Sequence, residues 1–212
     1  MSLLADVYLA LAGVVERLDE HDGWSATGCS GWAVRDLVHH MADDAVRGLV
    51  AVHVPGSGEP DRDAVSYWRD WGSDAEKDDA MRRATRAEAS LRGWTQLRER
   101  HLEAAAATVR AYDSLAPDAV LTTQGHTLTA ADLASTLAVE ATLHHADLVL
   151  HLEAAPPTGA GLAEVRRVVE SLLGRELAGW TDERVALVGT GRAAPTDAER
   201  SDLTGARVPV FT

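Results

Sequence analysis

Glu140, His144, Asp147 and His151 recur at helical spacing in a segment that also carries Leu133, Leu137 and Leu148. At about 100° per residue these seven positions stay within roughly 60° of one line, so the ionisable groups share the apolar stripe of one helix. Turning carboxylates and imidazoles toward a core costs on the order of several kcal/mol unless something satisfies them. A divalent metal ion would do so; ion pairs within the stripe, or with an arginine on a neighbouring helix, are the alternative. Asp147, one turn past His144, is placed to hydrogen-bond a ligand imidazole and fix its orientation, or to hold a helix or loop in place. His151 lies about 10.5 Å beyond His144 along a helix axis, too far to share its ion, and is expected as a pocket or core histidine facing substrate.

A second pair of imidazoles, His39 and His40, stands in GWAVRDLVHHMADD. Measured from the middle of Val34, Leu37, Val38, Met41 and Ala45, His40 lies about 120° to one side and His39 about 140° to the other. Periodicity does not choose between them, and either suits a solvated flank or an interhelical groove. Asp44, one turn past His40, has the same supporting role open to it as Asp147 and is expected nearer to solvent. Cys29 is the single cysteine, which excludes an intramolecular disulfide and a Cys-rich zinc site, and nothing near it in sequence would activate the thiol. Six tryptophans read as core rather than as a ligand cage. Arg192, in GTGR, could meet an anionic substrate at the mouth of the site if the tail folds back; a solvated surface arginine is the other reading.

These residues need a scaffold, and the chain has the length for one: 212 residues with a formal net charge of −13. That charge repels phosphate backbones and anionic membranes, so neither nucleic acid nor a membrane is an expected partner. The apolar run Val7 to Val15 is flanked by Asp6 and Glu16 and lacks a preceding basic segment, so no signal peptide or membrane span is expected, and the single cysteine fits a reducing cytoplasm as the expected location.

Apolar periodicity predicts a first helix over 3–19 with Ser2 as cap, a second from about Trp32 to Val52, and a long charged third from Ser73 or Asp74 to about Ser114, kinked or broken near Gly93. Leu91, Trp94, Leu97, Leu102 and Val109 would face its core side. Tyr67, Trp68 and Trp71 suggest an aromatic-anchored turn before it. AVLTTQGHTLT reads as a hairpin about Gln124-Gly125, followed by a helix from Thr129 to about Leu152 and another from Gly161 to Trp180. RVALVGTG and VPVF read as two short strands. The expected architecture is mainly α: a four-helix up-and-down bundle over residues 1–155, with residues 156–212 a small C-terminal α/β extension packed on it.

GWAVRDLVHHMADD resembles the Trp-containing segment G-W-x-V-R-D-L-V-x-H that opens the second helix of the DinB-like, mycothiol-dependent maleylpyruvate isomerase superfamily. VEATLHHADL is similar to the same superfamily's E-x-x-x-H-x-x-D segment, and VGTGR resembles actinobacterial members. The resemblance runs from the first helix through the one ending near Leu152. It implies a metal site made by His40, Glu140 and His144, with zinc first and nickel, iron or manganese as other candidates. It further implies mycothiol as cofactor, made reactive by the metal, and isomerase or S-transferase activity on a small electrophilic substrate. A metallohydrolase using water, and a non-catalytic metal- or thiol-binding protein of the same fold, are the other classes; a homodimer is compatible with each. His145 and Ala146 stand where many members have Arg and a large aromatic, which leaves substrate choice open.

Overall fold

The computed structural model describes residues 1–69 and 75–211, and in them the helical spacing of the sequence becomes eight α-helices and one hairpin. The elements are α1 (Leu3–Val15), α2 (Val34–Val52), α3 (Ala75–Ser90), α4 (Trp94–Asp113), β1 (Val120–Thr123), β2 (His126–Thr129), α5 (Ala130–Val149), α6 (Gly159–Leu173), α7 (Asp182–Gly189) and α8 (Asp197–Asp202). The expected Ser73 or Asp74 cap and Trp71 fall outside the described residues. Among those described, no helix is long and apolar enough to cross a membrane.

Side-chain caps set where several helices begin. Ser2 Oγ accepts from Ala5 N, Thr129 from Asp132 N, Thr158 from Gly161 N and Thr181 from Arg184 N, each satisfying an amide that the helix leaves unpaired. The break expected near Gly93 separates α3 from α4, and Leu91 falls in it, exposed rather than core-facing. The helix expected to reach Trp180 stops at Leu173, because Gly174 takes a left-handed conformation (φ 66°) that ends it.

The bundle consists of α1, α2, α4 and α5. Helices α1 and α2 each pack on both α4 and α5, so α5 runs between α1 and α2 and also receives α6. Its side chains are buried on nearly every face, from Leu133 and Leu137 on the predicted stripe to Val139 and Leu143 off it. The hairpin pairs Val120 with Thr129 through Thr123 with His126, and Gln124 (φ 50°) and Gly125 (φ 82°) supply the positive-φ pair of a tight two-residue turn.

Beyond α5 the expected strands do not form. RVALVG belongs to α7, begun by Thr181 with Asp182 and Glu183 in the first turn, where acidic groups favour a helix N-terminus. VPVF is irregular, with Val210 N donating to Gly189 O at 2.8 Å. Among the described residues the two strands are those of the hairpin. Arg166 fastens the turn after α6, donating to the carbonyls of Leu177 and Trp180 and to Asp182, and Arg184 pairs with Glu199 to tie α7 to α8. Among the tryptophans expected in the core, Trp32, Trp68 and Trp94 are buried, whereas Trp24 is exposed with the Arg35 guanidinium 4.3 Å above its ring.

Candidate metal centre

Helix α2 lies between α4 on one side and α5 on the other, which gives its adjacent histidines different surroundings and puts neither in solvent. His39 is fully buried toward α3 and α4, with Nε2 3.3 Å from Glu88 Oε2 and Nδ1 3.4 Å from Arg100. His40 points to α5, its Nε2 3.1 Å from His144 Nε2 and 4.0 Å from Glu140 Oε1. One ligand atom each from His40, Asp44, Glu140 and His144 can be chosen so that all four lie within 4.8 Å of one another. Asp44, expected nearer to solvent, is buried within this group, its Oδ2 3.2 Å from His40 Nε2. It sits there because the i, i+4 spacing puts it over His40 on a face that α5 covers.

Arg47, a residue the stripe did not reveal, orders the carboxylates. Its Nη2 donates to Glu140 Oε2 at 2.7 Å and its Nη1 lies 3.2 Å from Asp44 Oδ1. One oxygen of each acid is thus committed to the guanidinium, which leaves Asp44 Oδ2 and Glu140 Oε1 for the imidazole side. Burial pushes Glu140 up, but Arg47, His40 and His144 outweigh it and hold the carboxyl at about 2. Burial, with the Glu140 charge beside it, raises Asp44 well above the usual carboxylate range. Burial and then the neighbouring His144 lower His40 to about 3, so its imidazole is neutral at pH 7, the form that binds a metal.

The donor set fits a divalent ion. Two Nε2 atoms face each other where one can carry a proton only if the other accepts it. Asp44 Oδ2 is buried and accepts no hydrogen bond among the described residues. A cation placed among these atoms would use both lone pairs and the open oxygen.

Asp147, Arg192 and Cys29 gather about the other nitrogen of His144. Nδ1 lies 3.3 Å from Asp147 Oδ2, and the Arg192 guanidinium clasps the same carboxylate through Nε to Oδ1 (3.0 Å) and Nη2 to Oδ2 (2.8 Å). Burial raises the Asp147 carboxyl, but the His144 hydrogen bond and Arg192 hold it far below its usual range. Arg192 therefore reaches the site as expected, though it is carried there by the turn after α7 rather than by strands. The loop before α2 reaches the same place: Gly28 N donates to Asp147 O at 2.9 Å, and a Cβ on Gly28 would meet Asp147 Oδ1 at 2.5 Å. That approach brings Cys29 Sγ to 3.3 Å from Asp147 Oδ2 and 3.9 Å from His144 Nδ1. Burial, and then the Asp147 charge, push the thiol up to about 12.

These residues floor an open cleft of about 380 Å³, lined among others by Cys29, Trp32, His40, Arg82, His144 and Arg192. Trp32 stands against His40 with ring centroids 5.0 Å apart. His151 is not brought to this cleft: α5 ends at Val149, and His151 is exposed in the turn that follows.

Residues 4–149 match the family described as mycothiol maleylpyruvate isomerase N-terminal domain. Searches of curated proteins and of solved structures find no match.

Proposed function

We propose, on the premise that this chain belongs to the mycothiol maleylpyruvate isomerase N-terminal domain family, that it binds one divalent metal through His40, Glu140 and His144. With mycothiol as cofactor it would isomerise a small electrophilic substrate or transfer the thiol to it. The observation that carries this reading is the convergence of these three side chains from two packed helices onto the floor of an open cleft, with Asp44 buried beside them. Two imidazoles and a carboxylate suit zinc, with nickel, iron and manganese as other candidates. Such an ion, when bound, lowers the pKa of a coordinated thiol and so supplies thiolate at neutral pH.

The chain's own residues do the rest. His40 and His144 present Nε2 at a separation set by the packing of α2 on α5. Arg47 holds one oxygen of Glu140 and one of Asp44, which aims the others at His40. Asp147, clasped by Arg192, fixes the His144 ring from its far nitrogen. Trp32 walls the cleft beside His40, and Arg192 is a cation that an anionic substrate would meet there. In this reading residues 1–155 form the metal-binding bundle, and residues 156–212 pack on it and complete the cleft.

Elemental analysis of tag-free protein is the test, repeated on His40→Ala, Glu140→Ala, His144→Ala and His39→Ala. Metal should be present in the parent and in the His39 variant and be lost from the other three; unchanged content in all of them overturns the site. Turnover of a maleylpyruvate-like electrophile should stop when mycothiol is left out. Full turnover without any thiol would instead favour water as nucleophile, and binding without turnover across an electrophile panel a non-catalytic role.

A further inference from the structure

His101 is a buried ionisable group that the centre described above does not use. It lies on the inward face of α4, in register with Leu97, Ala104, Ala105 and Thr108, and is 3 % exposed. Neither its Nδ1 nor its Nε2 has a hydrogen-bond partner among the described residues. Leaving a buried polar atom unsatisfied costs on the order of 1–3 kcal/mol, and native interiors satisfy the great majority of them with protein or with ordered water.

The imidazole lines a small cavity inside the bundle whose other polar walls are Tyr8, Asp44, Glu140 and His144, the remainder including Leu11, Met41 and Leu137. The cavity measures about 10 Å³, close to the lower limit for holding a single water. Across it stands Asp44, whose buried Oδ2 accepts no hydrogen bond among the described residues. His101 is not one of the four residues whose ligand atoms cluster, so it borders the centre without joining it. An unpartnered imidazole, a buried carboxylate oxygen whose near neighbour is His40 Nε2 at 3.2 Å, and a water-sized space thus occur together.

We propose that His101 holds an ordered water in this cavity and through it fixes Asp44 Oδ2 toward the metal centre, making His101 a positioning residue for that centre. Arg47 holds Oδ1 of Asp44 and His40 Nε2 stands 3.2 Å from Oδ2, and a water held by His101 would add a further tether against the carboxylate turning about its bond to Cβ. Only the polar walls can bond the water, which limits its partners to His101, Tyr8, Asp44, Glu140 and His144. The inference rests on the metal-centre reading. Supporting contacts of this kind change metal affinity by about 10–100-fold.

The test uses Co²⁺ as the metal, with metal-free parent, His101→Leu and His101→Gln. Leucine keeps the volume and removes both ring nitrogens; glutamine keeps a group able to bond the water. The parent should bind Co²⁺ with visible absorption bands, the leucine variant about ten- to a hundredfold more weakly with shifted bands, and the glutamine variant near the parent. Parent-like affinity and spectrum in the leucine variant overturns the proposal, as does a glutamine variant impaired as much as the leucine one. Melting in EDTA gives a readout without metal: leucine should lower the midpoint by removing the water's anchor, and a midpoint above the parent's overturns the proposal. A parent that binds no divalent metal removes the metal-centre reading itself, a result distinct from equal binding by parent and variant.

Discussion

Arg47 is one residue through which two buried acids, Asp44 and Glu140, are held in place, and its removal leaves both without their cation. Breaking a buried pair by deleting one partner costs on the order of 3–5 kcal/mol, and a protein of this size loses about 2–4 °C of melting temperature per kcal/mol. Metal-free Arg47→Met should therefore melt about 10 °C below the parent. A bound divalent ion neutralises the same acids, so the rise in melting temperature on adding Zn²⁺ should be larger in this variant than in the parent; an equal or smaller rise would refute that role. Arg192 acts farther out, on Asp147 and the cleft. With metal kept saturating, Arg192→Ala should weaken turnover of an anionic substrate about tenfold or more, whereas parent-like kinetics would return it to the surface-residue reading. At this scale the sequence disclosed what periodicity can disclose. Glu140, His144 and Asp147 share one stripe, and the resemblance singled out His40. Arg47 was within reach of the same reasoning, since His40, Asp44 and Arg47 fall at i, i+4 and i+7 of one face, and so was His101 among the buried positions of α4. Cys29 carried no such signal, because its place beside His144 depends on a loop closing across 115 residues of chain.

Among elements, long helices were legible and the tail was not, for a physical reason. Helices α1, α2 and α4 each have a solvent face and a core face, so their apolar residues repeat with the helical period. The tail run Val185, Ala186, Leu187, Val188 has β-branched residues that suit a strand, and the cap at Thr181 with its acidic first turn decides for helix α7 instead. Nor could the stripe of α5 say that His151 lies past its end, because periodicity continues on paper after the helix has stopped. Contacts between elements are also where a single methyl group should matter. The loop before α2 meets α5 at Gly28, and an added Cβ there collides with the Asp147 side chain and backbone. Gly28→Ala should cost about 1–3 kcal/mol of stability as the loop and Asp147 move apart. It should also loosen the Asp147 contact with His144, lowering metal affinity more than a stability loss elsewhere would. A variant with parent-like melting and metal binding would mean that the loop yields freely at this point.

For the molecule as a whole, the question is whether residues 156–212 are an appendage or part of the core. Helix α6 packs on both α1 and α5, and its Val165, Val168 and Val169 are all 0 % exposed. Full burial of each valine is worth about 1.5–3 kcal/mol, so the three together contribute on the order of 5 kcal/mol. Small domains are stable by only about 5–15 kcal/mol in total, so this one helix face is comparable with the entire margin. The tail also brings Arg192 to Asp147, closing one side of the cleft over the proposed centre. A chain cut after residue 155 should therefore lose cooperative melting or unfold well below the parent, exposing the apolar faces of α1 and α5 as added binding of a hydrophobic dye. Circular dichroism melts of the two chains read this directly. A truncated chain that melts as sharply and as high as the parent would show that the bundle is complete without its tail and would confine the role of residues 156–212 to the cleft.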